Sequence, residues 1–485
     1  MASTSKSANW SGDSRFSLIM NLNESYVSGG VENYSNVSWN LQLKSTSSYR
    51  TYTGYAENPL VAYVNGQLVS NQNITYDLQN NTITVASGTI KVPHNSDGSK
   101  TISFSASFTD NSNGKGSASL SGSLTLTKIN RYATVTSAPD FNDEENPVLK
   151  YSNPSGNNVS TLQACISLTG ATDDIPYRDI SKTGSSYTFE LTEEERNILR
   201  NATPNSNSIS VRFYVKTVLG STTYYDYKTK TMTIVNGNPT FSDYTYQDTN
   251  TTVSNLLGTN QKLVKGLSNL KVTIPVANKM EAIKGASPSK YIASIDTLNA
   301  SGNYNASGNV DIVLGAVQNA GTFNLNVGAY DTRNNHTDII KEVEVLDYSL
   351  PVLYATATRT NNFENETTLT LNGTFSNLLV NNVNKNAITS CQYRYREVDG
   401  TWSNYSNFVF TSSGNNYSCT NKIENLDNTK AYEIEFKVSD RLSYKTLNLI
   451  VDVGKSIFFI DKKNRLLYYN DVEMLQYDVV EEWSD

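Results

Sequence analysis

Ala320-Gly321-Thr322-Phe323-Asn324-Leu325-Asn326-Val327-Gly328-Ala329-Tyr330-Asp331-Thr332-Arg333 is the stretch that decides the fold. Phe323, Leu325, Val327 and Ala329 fall on one face and polar or small residues on the other. Strict alternation of this kind is the mark of a half-buried strand. The polar turn after it leads into a second strand over Ile339 to Leu346. The same ending returns downstream as Tyr432-Glu433-Ile434-Glu435-Phe436-Lys437-Val438-Ser439-Asp440-Arg441, and more loosely upstream from Val211 to Gly220. Each copy follows, a domain length earlier, a proline-bearing start: Pro139-Asp140-Phe141, Pro239-Thr240-Phe241 and Pro351-Val352-Leu353. Strand-only units repeating at about 100 residues have the length of an immunoglobulin-like sandwich.

Working outward, the reading is all-β in five parts. Residues 1–132 form an N-terminal β-sandwich, in which Val37, Trp39, Leu41 and Leu43 alternate on the core side. Residues 133–237 form an immunoglobulin-like module with a short crossover helix, where Thr192 and Glu195 have capping-box spacing. Residues 238–346 form a second such module, with a turn of helix expected over Ala282 to Ala286. Residues 347–453 form an immunoglobulin or fibronectin III-like module, with a turn at Asp399-Gly400 before Trp402 and with Tyr432 placed for a tyrosine corner. Residues 454–485 make a β-hairpin tail whose apolar strands need a partner.

The 485 residues carry a net charge of −7, few charged groups and much Asn, Ser, Thr and Tyr. No basic stripe is offered to nucleic acid, and no apolar run has the length of a membrane span. The three cysteines, Cys165, Cys391 and Cys419, are an odd number without metal-ligand spacing and read as buried thiols. No secretory signal is visible at the N-terminus. An adhesin-like composition without a secretion route fits a protein that leaves the cell inside a virus particle.

Chemistry is sparse. The two histidines, His94 in a turn and His336 in a polar loop, lie in different modules and read as solvated. A serine-histidine-acid site would have to cross domains. Glycoside hydrolysis needs only two carboxylates, but candidates such as Asp173-Asp174 or Asp226 lie in polar turns without sign of a pocket. The expectation is therefore no enzyme and no catalytic residue. No cofactor is expected; Asp140, Asp143, Glu144 and Glu145 at one junction, and Glu364 and Glu366 at another, are weak candidates for Ca²⁺. Carbohydrate binding needs exposed rings beside polar groups. Tyr49, Tyr52 and Tyr55, in an irregular segment, are the candidate ligand-binding patch.

Several stretches together carry a family resemblance: Val92-Pro93-His94-Asn95-Ser96-Asp97-Gly98-Ser99-Lys100-Thr101, Tyr177-Arg178-Asp179-Ile180 with Leu191-Thr192-Glu193-Glu194-Glu195-Arg196, Asn260 through Leu270, and Gly454-Lys455-Ser456-Ile457-Phe458-Phe459-Ile460-Asp461. On these residues the chain resembles the minor structural, tail or receptor-binding proteins of long-tailed phages (siphoviruses) of Gram-positive bacteria. The resemblance implies a place in the virion and contact with the host surface; the expected partners are other virion proteins and host cell-wall glycan. It supplies no catalytic residues. Relatives often continue beyond the Phe-Phe-Ile-Asp segment, whereas this chain stops soon after it. The expected function is a tail or fibre component, acting as a homo-oligomer. The alternatives are a purely structural decoration or connector protein and a bacterial surface adhesin.

Overall fold

In the computed structural model, residues 1–27, 30–54, 56–168, 173–454, 458–461, 466–469 and 472–476 are described. The chain divides into two compact units, 1–236 and 237–485.

The first unit opens with a sandwich of two antiparallel four-stranded sheets. One runs in the order Ser3–Trp10, Asp13–Val27, Tyr34–Ser45, Thr82–Pro93, the other Gly116–Thr125, Thr101–Asp110, Pro59–Val64, Gln67–Asn73. The alternation along Tyr34–Ser45 sends Val37, Trp39, Leu41 and Leu43 into the core, as their spacing predicts. Full burial of each such side chain contributes about 1.5–3 kcal/mol. Trp10 sits at the centre, its ring 4.9 Å from Phe16 and 5.0 Å from Phe108. Gly88 makes room for Trp39: a Cβ there would come within 2.8 Å of the indole. On the opposite side of the second sheet, every outward position from Thr101 to Thr109 and from Ser117 to Thr125 is Ser or Thr.

The next sandwich of this unit pairs a three-stranded sheet (Thr134–Ser137, Val148–Ser152, Ser186–Thr188) with a five-stranded one. The latter runs Phe141–Asn142, Thr222–Thr233, Ser208–Leu219, Thr161–Ser167, Arg178–Asp179, and its first strand is parallel to its neighbour. Helix Glu193–Asn201 carries the chain from one sheet to the other, with the Thr192–Glu195 capping box in place. Its glutamates are engaged within the module: Glu195 pairs with Arg178, and Glu193 with Arg200.

The second unit repeats this topology. Thr245–Asp248, Leu270–Ile274 and Val310–Gly315 face a five-stranded sheet of Leu263–Val264, His336–Leu346, Gly321–Asp331, Pro288–Ile295 and Leu298–Asn303. Leu325, Val327 and Ala329 point into its core with Phe323 packed at the margin. The helical turn expected over Ala282 to Ala286 does not form. Lys284 (φ 52°) and Gly285 (φ 81°) adopt left-handed backbone, which ends any right-handed turn. A helix forms instead over Thr251–Leu257, capped by the Asn250 side chain and closed by Gly258 in the left-handed conformation.

In the last sandwich, Val352–Arg359, Thr367–Thr374, Asn416–Ile423 and Phe410–Ser413 pack on Ser406–Asn407, Ile388–Glu397, Tyr432–Asp440 and Tyr444–Val451. Tyr432 is buried at the start of its strand, but its hydroxyl makes no hydrogen bond among the described residues. The corner is held by Arg359, which donates to the carbonyls of Asp452, Glu364, Leu426, Asp427 and Lys430 at 2.9–3.2 Å. A separate apolar cluster of Val253, Leu257, Val264, Leu346, Tyr348, Leu378 and Val380 fills the joint between the two sandwiches of this unit. The tail, expected as a hairpin, gains a third antiparallel strand: Phe458–Asp461, Leu466–Tyr469 and Val472–Gln476. Among the described residues no helix is long and apolar enough to cross a membrane.

Candidate functional site: an aromatic and cationic ledge

Strand Ile388–Glu397 buries Cys391 and Tyr393, so its alternate positions Gln392, Arg394 and Arg396 face outward. Antiparallel register sets Arg394 against Glu435, Arg396 against Glu433 and Gln392 against Lys437. Both arginines close ion pairs with these partners, Arg394 Nε to Glu435 at 2.6 Å and Arg396 to Glu433 at 2.5 Å.

The turn after Glu397 places the rings. Asp399 takes a left-handed φ of 65°, the Gly400 amide donates to Glu397, and the Ser403 amide donates back to Tyr395 at 2.9 Å. The loop thereby folds onto its own strand. Trp402 lies over both guanidinium groups, 4.7 Å from Arg394 and 4.6 Å from Arg396. Tyr405 stacks on the same Arg394 at 4.7 Å and lies 5.4 Å from the Lys437 ammonium, which in turn is 4.5 Å from Tyr444. The Tyr405 hydroxyl donates to Glu435. Burial, then this bond, push its pKa up to about 12, so the ring stays neutral at any physiological pH. Tyr444 is 57% exposed. Three rings alternate with three cations across three strands. Cation–π contacts and ion pairs hold the long side chains in one arrangement before any ligand arrives.

The residues singled out in the sequence fare differently. Tyr49 and Tyr52 are 75% and 61% exposed, whereas Tyr55 lies outside the described residues. Between them Arg50 pairs with Asp77 and lies 5.8 Å from the Tyr52 ring. His94 corrects an expectation. It is 8% exposed, with Nε2 2.9 Å from Ser35 Oγ and Nδ1 2.8 Å from the Gly98 carbonyl. Ser35 also donates to Glu24, whose other oxygen accepts from Ala2 N, Thr127 N and Thr127 Oγ1. His336 is surface-exposed and stacks on Tyr330 at 4.6 Å. The junction carboxylates are engaged locally: Asp143 with Arg200, Glu145 with the Asn142 amide and Glu366 with Lys422. Among the described residues no three His, Cys, Asp or Glu side chains gather to hold an ion. Asp174 and Asp226 each accept a backbone amide, from Leu168 and Val135. All three cysteines are buried and unbridged. The Cys391 thiol, on the buried face of the ledge strand, is pushed far up by its hydrogen bond to Cys419 and by burial.

The chain is thus an all-β protein of serial sandwich modules. It belongs to the family described as siphovirus protein of unknown function (DUF859), which it matches over residues 8–465. No curated protein matches it. Among solved structures it is similar to a Ca²⁺-stabilised adhesin that helps an Antarctic bacterium reach out and bind ice: 13% identity, 88% of this chain and 96% of that one covered, TM-score 0.26. It is also similar to protocadherin gamma B7 extracellular cadherin domains 1–4: 12% identity, 81% and 92% covered, TM-score 0.24.

Proposed function

We propose that this siphovirus protein is a non-enzymatic component of the virion tail or fibre, and that it attaches the particle to glycan on the host cell surface. The observation that carries this reading is the ledge of the last sandwich. Exposed aromatic faces stack on the apolar faces of sugar rings, and the fixed polar groups beside them orient sugar hydroxyls. A shallow open ledge suits a polymer better than a small molecule. Each contact is weak, and several copies on one particle multiply it. Tyr49 and Tyr52 offer a lesser surface of the same kind in the first sandwich.

Binding of full-length protein to host and non-host cell walls tests this. The wild type is expected to bind host walls selectively, and Trp402→Ala to bind them at least about tenfold more weakly, with its folding confirmed by hydrogen exchange. Full binding by the variant would move the contact off the ledge. No binding by wild type in its native oligomeric state would leave a purely structural virion component.

A further inference from the structure

We propose that the ledge recognises an acidic glycan, a saccharide carrying phosphate or carboxylate groups, and that Lys437 is the point where the anion is held. The inference rests on the attachment reading above and adds the chemical class of the ligand.

The charge pattern of the ledge is uneven. Arg394 and Arg396 are each neutralised by a glutamate, at side-chain exposures of 29%. Lys437 has no carboxylate partner among the described residues. Its register partners are Gln392 on one side and Thr446 on the other, neither of them acidic. Gln392 in turn donates to Asn407 on the edge strand at 2.8 Å. The row through Lys437 is therefore Asn407, Gln392, Lys437, Thr446: one ammonium among neutral amides and a hydroxyl. Four adjacent strands span about 14 Å, the length of a short oligosaccharide.

Two rings frame this row. Tyr405 and Tyr444 both lie against the Lys437 ammonium and hold it at the surface. An ammonium fixed by ring faces keeps N–H bonds for a ligand, because the rings accept no conventional hydrogen bond. With three cations against two carboxylates, the ledge carries one positive charge in excess. An anionic substituent answers that charge, while the amides and the Thr446 hydroxyl meet sugar hydroxyls on either side. Phosphate and carboxylate present the same oxygens to Lys437, and an experiment separates them.

Full-length wild type, Lys437→Gln, Lys437→Arg and Trp402→Ala are compared on four host-wall preparations: untreated, stripped of phosphodiester polymers with hydrofluoric acid, carboxyl-amidated, and both. Lys437→Gln is expected to bind untreated walls about tenfold more weakly, with a flatter dependence on salt, and Lys437→Arg to retain most of the affinity. Loss of wild-type binding on stripped walls identifies phosphate, and loss on amidated walls identifies carboxylate. If Lys437→Gln matches wild type in affinity and salt dependence while Trp402→Ala fails, the ligand is a neutral glycan. The acidic inference then falls and attachment stands. If no form binds any wall, the attachment reading itself is overturned.

Discussion

The first and the last sandwich are built on the same alternation of inward apolar and outward polar residues, yet they use charge in opposite ways. In the first, a buried carboxylate, Glu24, gathers donors from the N-terminal strand, from Ser35 and from Thr127. Its outward sheet face, from Thr101 to Thr125, shows only hydroxyls over its two paired strands. In the last, a buried guanidinium, Arg359, gathers acceptors, and its five N–H bonds go to five carbonyls. The outward face there carries the ledge. Short hydroxyl side chains are satisfied by water and give up little on exposure, so such a face is inert by default. Long cationic side chains pinned by rings are already ordered, and such a face is prepared for a ligand.

The sharpest way to break this comparison is to remove each hub. Arg359→Ala leaves buried carbonyls unpaired and is expected to destabilise the last sandwich by about 3 kcal/mol or more. Hydrogen exchange in strands Tyr432–Asp440 and Tyr444–Val451 of the full chain would register it, and unchanged protection there would show that Arg359 is no hub.

Glu24→Gln is a smaller loss, about 1–3 kcal/mol, and it also changes the response to acid. Burial raises the Glu24 pKa, but hydrogen bonds from Thr127, Ala2 and Ser35 outweigh it and hold the carboxyl below its ordinary value. A depressed folded-state pKa gives stability that is present above the unfolded value, about 4.3, and is lost as pH falls through the folded one. Protection in the first sandwich should therefore fall off in that acid range in wild type and less steeply in Glu24→Gln. The guanidinium hub has no such titration. Equal acid slopes in wild type and variant would exclude Glu24 as the source.

The smallest effect belongs to the hydroxyl face. The double substitution Ser105→Ala with Ser121→Ala is expected to alter stability by no more than about 0.5 kcal/mol and to leave wall binding unchanged. A loss of wall binding comparable to that of Trp402→Ala would erase the distinction between the two faces.

What could be read from sequence followed the range of the interaction. The strand Gly321–Asp331, the alternation around Trp39 and the Thr192 cap are local patterns, and each appears as its spacing implies. Helix Thr251–Leu257 escaped because Thr, Val, Ser and Asn are poor helix formers. Packing of Val253 and Leu257 into the joint stabilises it, with the Asn250 side chain capping one end and Gly258 closing the other. His94 was misread because its neighbours are turn residues. Its partner Ser35 comes from a distant strand, and nothing local announces the burial. The ledge was half legible: alternation put Arg394 and Arg396 on one face and Asp399-Gly400 turned the chain before Trp402. Lys437 and Tyr444 enter only through cross-strand register, which is not written in any one strand. Tyr49, Tyr52 and Tyr55 stood out because they are close in sequence, a criterion that selects clusters along the chain over clusters in space.

The joint between the two sandwiches of the second unit has a mechanical meaning. Leu346 and Tyr348 are at once linker and core, buried against Val253, Leu257, Leu378 and Val380. Tyr348 is further tied to Asp440, which also holds Asn386. Bending at such a joint would uncover hydrocarbon, at about 25 cal/mol for each Å² exposed, so the linker resists flexion as a tendon would not. A pull on the last sandwich is passed to its neighbour as load on a packed core, with little slack to take up first.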